Sequence, residues 1–222
     1  LVHLGVRGDK AESLLSPFFD KLDSRPDSVS FNDKYIAIRV PGNADGDRPR
    51  YEIFCAPADA KALWESVSKK AGVVNSNCWD YLNIKNGLPF IDSHTSEEFV
   101  AQMANMDLVG GISFTKGCYT GQEIVARTHY LGKQKRRAYR LAIVTESTPV
   151  PGDQLTTETA TENQYTGTLV NVVPVAENKY EALAVIQIKS AEQEKLKLKT
   201  ADAEITLLEL PYSLVDPDNK NN

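Results

Sequence analysis

At 222 residues, 41% apolar and 25% charged, the sequence has the make-up of a globular protein with enough chain for one large or two small buried cores. Its net charge of −5 argues against a general nucleic-acid binder, whose affinity rests on clustered Lys and Arg, and no apolar run approaches the roughly 20 residues that span a bilayer. The opening LVHLGVRGDKAESLL lacks the charged head, apolar centre and cleavage site of a signal peptide, and three cysteines at spacings of 23 and 40 fit neither a disulfide framework nor a closed zinc site. A reducing, cytoplasmic setting with no membrane contact and no bound metal is expected. Because the chain begins at Leu1 on an apolar alternation that reads as mid-strand, a preceding segment is expected to be missing.

In chain order, AESLLSPFFDKL places Leu14, Leu15, Phe18 and Leu22 near helical spacing, with Pro17 marking a break. FNDKYIAIRV and YEIFCAP alternate as strands around the polar PGNADGDRPR, which predicts a hairpin with a long loop. Cys55 shares a strand face with Tyr51 and Ile53 and is read as core. PADAKALWESVSKKAG predicts a helix ending at Gly72. NSNCWDYLNIKNGLPFI predicts a second, started by Asn75 or Ser76 and stopped by Gly87 and Pro89, with Cys78 and Leu82 on one face, also read as core. GGISF reads as a strand and GQEIVAR as a first helical turn. From about residue 135 to 212, RRAYRLAIV, GTLVNVVPV, KYEALAVIQI and ITLLEL read as short strands separated by turns, the pattern of a small barrel or sandwich. The tail VDPDNKNN has nothing to bury and is expected to be disordered. The resulting division is an α+β part over 1–134, a β-rich domain over 135–215 and a tail over 216–222.

The chemistry concentrates in KGCYTGQEIVAR, residues 116 to 127, where Cys118 falls in the predicted strand-to-helix loop. Gly117 and Gly121 let a ligand approach the main chain, and helix N-terminal amides with Lys116 and Arg127 nearby favour a thiolate. Such a thiol suits nucleophilic, redox or metal-ligand work, while the competing reading is a buried Cys acting as a small hydrophobe. From Lys116 to Arg140 there are seven Lys or Arg against Glu123 alone, so this stretch carries +6 and the remainder −11. An anionic ligand fits that asymmetry, and so does a solvated basic loop.

GGISFTKGCYTGQEIVAR resembles the Lys-Gly-Cys-Tyr-x-Gly-Gln-Glu signature of the YgfZ family, and NCWDYLNIKNGLPFID, EEFVAQMANMDLVGG and LELPYSL resemble further segments of the same family in the same order. These are folate-dependent iron–sulfur maintenance proteins related to the glycine-cleavage T protein, an aminomethyltransferase. The resemblance implies a T-protein-like α+β body followed by a C-terminal antiparallel β-barrel. It implies tetrahydrofolate as cofactor and, as partners, iron–sulfur client proteins such as a tRNA methylthiotransferase. On that analogy Trp79 matches a folate-site tryptophan whose ring would stack on the pterin, where the residues alone favour core packing on an amphipathic helix with Leu82. Cys118 matches the signature thiol, Lys116, Gly117, Tyr119, Gly121, Gln122 and Glu123 the rest of the motif, and the +6 segment with Arg127 would suit folate's anionic tail. Lys85 and Asn86 stand where family members often carry an acid and a small residue. Four readings follow: a folate-binding accessory protein, a folate-dependent one-carbon transferase, a direct tRNA binder using Lys133 to Arg140, and a purely structural domain. Whether the protein is itself an enzyme is left open.

Overall fold

The computed structural model describes residues 1–41, 48–117, 121–130, 132, 134–160, 164–193 and 195–214. Contacts group the chain into two compact units, Leu1–Trp79 and the residues from Asp80 onward.

The first unit is built on an antiparallel sheet of β1 (Val2–Arg7), β2 (Val29–Phe31), β3 (Tyr35–Arg39) and β4 (Arg50–Cys55), in the order β1-β4-β3-β2. The expected β3–β4 hairpin is present, with Tyr35 opposite Cys55 and Arg39 opposite Tyr51. FNDKYIAIRV is not one strand but two, because the Asn32 side chain accepts from the amides of Lys34 and Tyr35, both at 3.0 Å, and turns the chain between β2 and β3. Alternation does the rest: Tyr51, Ile53 and Cys55 face a core shared with Tyr35, Ala37 and Val6. That core is closed by Ala11 and Leu15 of α1 (Ala11–Leu15) and Leu63 of α2 (Pro57–Ser68). A 3₁₀ turn, Ser16–Phe18, holds Pro17 where the helix breaks. Pro57 occupies the first helical position of α2, and the last helical residue is Ser68, four before Gly72.

Helix α3 (Ser76–Lys85) starts after Asn75 as expected. It ends before Gly87, whose φ of +64° and lack of a side chain are both required, since a Cβ there would lie 2.6 Å from the Tyr212 hydroxyl oxygen. Cys78 is exposed, not core: it sits in the first turn of α3, short of the buried Ile84.

The second unit carries the expected C-terminal antiparallel barrel, a nearly closed sheet in the order β10-β5-β8-β7-β6-β9. Its strands are β5 (Arg136–Val144), β6 (Gln154–Thr157), β7 (Gly167–Ala176), β8 (Lys179–Gln187), β9 (Leu196–Leu198) and β10 (Glu204–Leu208), with α5 (Ile188–Gln193) between β8 and β9. One face of the sheet packs Leu141, Ile143, Leu155, Leu169, Ala184 and Ile186 into a core. The other packs Ala138, Val170, Leu183 and Val185 against Ile84, Tyr81, Phe99 and Met103. Burial on both faces explains why β8 reads as a continuous apolar run, LAVI, where a half-exposed strand would alternate.

Candidate functional site

Strand alternation puts Arg50 and Glu52 on the sheet face opposite the first unit's core, and Gly5 pairs with Glu52 in the β1–β4 ladder. Trp79 lies on this face. Its Nε1 donates to Glu52 Oε1 at 3.1 Å, and the Arg50 guanidinium carbon is 4.5 Å from the ring centroid. A Cβ at Gly5 would come within 2.6–2.9 Å of three successive indole carbons. Near-equal approaches to adjacent ring atoms mean that Gly5 faces the plane of the indole, not its edge. His3 stacks on Phe54 with centroids 4.5 Å apart, and its Nε2 lies 3.7 Å from Glu52 Oε2. Arg50 is 2% exposed, and this burial lowers its pKa against the opposing pull of Glu52.

In the second unit, Lys116 and Gly117 are exposed, and the Lys116 amide donates to Ser113 Oγ at 3.3 Å. Cys118 and Tyr119 lie outside the described residues. Gly121, at φ +87°, leads into α4 (Gln122–Tyr130). Glu123 in the first turn and Arg127 in the last are both exposed, each at the helix end whose partial charge it complements. The expected strand GGISF is absent: Phe114 packs its ring on α4 instead of pairing its backbone in a ladder. Its centroid is 3.8 Å from that of His129 with planes 12° apart, and Tyr130 meets His129 edge-on at 4.7 Å.

A polar brace holds α4. In the 3₁₀ turn Ala101–Ala104, Gln102 is 2% exposed and its Nε2 donates to the Val125 carbonyl at 2.6 Å. The Gln102 carbonyl accepts from Arg137 Nη1 at 2.8 Å, and the same nitrogen meets Asp107 Oδ1 at 2.6 Å. Asn105, left-handed at φ +60°, donates to the Ala138 carbonyl at 2.8 Å and accepts from the Ala138 amide at 3.2 Å. Tyr212 donates its hydroxyl to the Gly87 carbonyl at 2.7 Å and accepts from Asn105 Nδ2 at 3.3 Å. Sequence reasoning missed Gln102, Asn105 and Asp107; the available signal was three amide or acid side chains spaced among Met103, Met106 and Leu108.

The brace also revises the charge reading. Arg137 is paired with Asp107, and Arg140 with Glu181 at 2.6 Å. Arg136 donates to the Thr166 carbonyl at 3.3 Å. Lys116, Arg127 and Lys135 remain as exposed cations of that stretch among the described residues. Two acids remote in sequence therefore cancel part of the +6. Among the described residues no group of three or more His, Cys, Asp or Glu is placed to hold a metal ion, and no helix is long and apolar enough to cross a membrane.

No family model matches the sequence. Among solved structures, aminomethyltransferase T of the glycine cleavage system from Bartonella henselae superposes with a TM-score of 0.64 over 96% of this chain and 59% of that one, at 16% identity. The α+β body with a C-terminal barrel is thus the fold of the glycine-cleavage aminomethyltransferases, as the sequence implied. The sequence relatives are narrower: the chain is homologous to the proteins called tRNA-modifying protein YgfZ. It is 32% identical to that of Pectobacterium carotovorum subsp. carotovorum, over 97% of this chain and 64% of the relative. With that of Yersinia enterocolitica identity is 31%, over 97% and 64%. The chain therefore spans just under two thirds of the length of these relatives.

Proposed function

We propose that the protein is a cytoplasmic, tetrahydrofolate-binding accessory protein of the YgfZ type that supports assembly or repair of iron–sulfur enzymes, among them one that modifies tRNA. The observation that carries this reading is the similarity to tRNA-modifying proteins YgfZ along 97% of the chain. Tetrahydrofolate joins a hydrogen-bonding heteroaromatic ring to a carboxylate tail, and the residue types present fit that chemistry. In the first unit, the Glu52 side chain is 25% exposed and accepts a hydrogen bond from Trp79; in the second, taken by itself, Lys116 and Arg127 are exposed cations suited to a carboxylate tail. In this reading Gly117, Gly121, Gln122 and Glu123 shape the motif turn and helix start, and Tyr119 belongs to the same motif. Bound folate supplies the one-carbon or redox chemistry of its reduced ring. The chain binds and orients it, and Cys118 provides a thiol for redox, exchange or transient cluster handling.

The test is complementation. The full chain is expressed in a bacterium lacking its own YgfZ, and methylthiolated nucleosides are measured in bulk tRNA. Restoration by the wild type and its loss in Cys118→Ala at equal protein level supports the reading. Failure of the wild type, or equal restoration by Cys118→Ala, overturns it.

A further inference from the structure

Helix α4 has nine residues and none of them is buried, and a helix of that length is marginal on its own. Its order therefore depends on what ties it to the rest of the second unit. The Phe114 ring stacks on His129 near its end, and the Gln102 amide reaches its middle, with Nε2 donating to the Val125 carbonyl at 2.6 Å. Gln102 is itself rooted: its own carbonyl accepts from Arg137, which is paired with Asp107.

For stability alone, glutamine is a poor residue here. Gln102 is 2% exposed, and its Oε1 is buried with no hydrogen-bond partner among the described residues. Turning the amide over would set Oε1 against the Val125 carbonyl oxygen, so the orientation is fixed by the acceptor it faces. An unmet buried acceptor destabilises, whereas an apolar side chain of the same length leaves none. Nor does the Val125 carbonyl depend on Gln102, because the helical ladder offers it the amide of His129, four residues on. What the bond does fix is where α4 sits.

We propose that Gln102 is a positioning residue: its amide sets the place of α4 against the turn Ala101–Ala104, and so presents the N-terminal amides of that helix to the cysteine signature that leads into it. Cys118 stands four residues before Gln122, the first residue of α4, and amides at a helix N-terminus favour a thiolate. The proposal rests on the reading of Cys118 as the functional thiol and adds a residue outside the signature that governs its reactivity.

The experiment compares the full chain as wild type, Gln102→Met and Gln102→Glu, the last keeping the shape but turning an acceptor toward the carbonyl. Three quantities are measured: the urea midpoint, hydrogen exchange of α4 and β8 amides by mass spectrometry, and the pH profile of iodoacetamide labelling at Cys118, with the exposed Cys78 as internal reference. Gln102→Met is expected to keep the wild-type midpoint and β8 exchange while α4 exchanges about tenfold faster, as loss of one hydrogen bond allows. Its Cys118 labelling is expected to move to higher pH with that of Cys78 in place, and Gln102→Glu is expected to show the same two changes. A Gln102→Met midpoint well below wild type, α4 exchange that neither variant alters, or a Cys118 profile that stays in place would each overturn the proposal. Failure of the wild type to restore methylthiolation would overturn the functional reading instead, and the exchange and labelling results would still decide whether Gln102 positions α4.

Discussion

Arg137 and Asp107 form an ion pair sealed from water, with Nη1 and Oδ1 2.6 Å apart and side chains 5% and 6% exposed. Removing one partner leaves the other charge buried and unpaired, so Asp107→Ala or Arg137→Ala is expected to lose about 3–5 kcal/mol of unfolding free energy in urea. Replacing both with apolar residues of similar volume is expected to regain most of that loss. Losses that simply add in the double variant would contradict this account of the pair.

Gly5 is required by the close approach of the Trp79 ring to the β1 backbone. Gly5→Ala must displace the indole and, with it, the hydrogen bond to Glu52. In a Trp64→Phe background, the expected result is a red-shifted Trp79 emission and about 1–3 kcal/mol of destabilisation. An unchanged spectrum would show that the ring does not lie where the geometry puts it.

Burial, helped by the Glu12 carboxylate, pushes the Tyr51 hydroxyl up to about 12, and burial also raises Tyr212. When the folded pKa lies above the unfolded one, the stabilisation is whole below the unfolded value and is lost as pH climbs through the folded value. Stability is therefore expected to fall from about pH 10, the ordinary tyrosine value, toward about 12. Urea midpoints for wild type and Tyr51→Phe/Tyr212→Phe would be compared across that window. The wild type should lose stability more steeply, and parallel profiles would rule the tyrosines out as the cause.

Cys55 is 1% exposed and its thiol pKa is raised chiefly by burial, whereas Cys78 is exposed. In a Cys118→Ser variant, iodoacetamide followed by mass spectrometry should label Cys78 in native buffer and Cys55 only on unfolding. Equal native labelling of both would place Cys55 outside the core.

What the sequence revealed, it revealed through periodicity and turn chemistry. The apolar alternation of β3 and β4, the Pro57 start of α2 and the Gly87 stop of α3 are local signals, and each survived folding. Strands β6 and β9 were invisible because QLTT and LKL are short and sit among polar turns and lysines, so their identity comes from pairing, β6 with β7 and β9, and β9 with β6. GGISF failed as a strand for the converse reason: its apolar residues matched the pattern, but Phe114 found a ring on α4. Charge was the least legible property. Arg137 and Arg140 read as part of an open basic segment until β5 brought them to Asp107 and Glu181. The brace through Gln102 and Asn105 joins residues more than twenty positions apart and leaves no periodic trace.

The proposed function requires that the protein bind a reduced folate. Its most direct test is titration of the full chain with tetrahydrofolate under anaerobic conditions, followed by calorimetry. Saturable heat that an excess of folinic acid competes away is expected; a titration with no saturable heat would overturn folate binding.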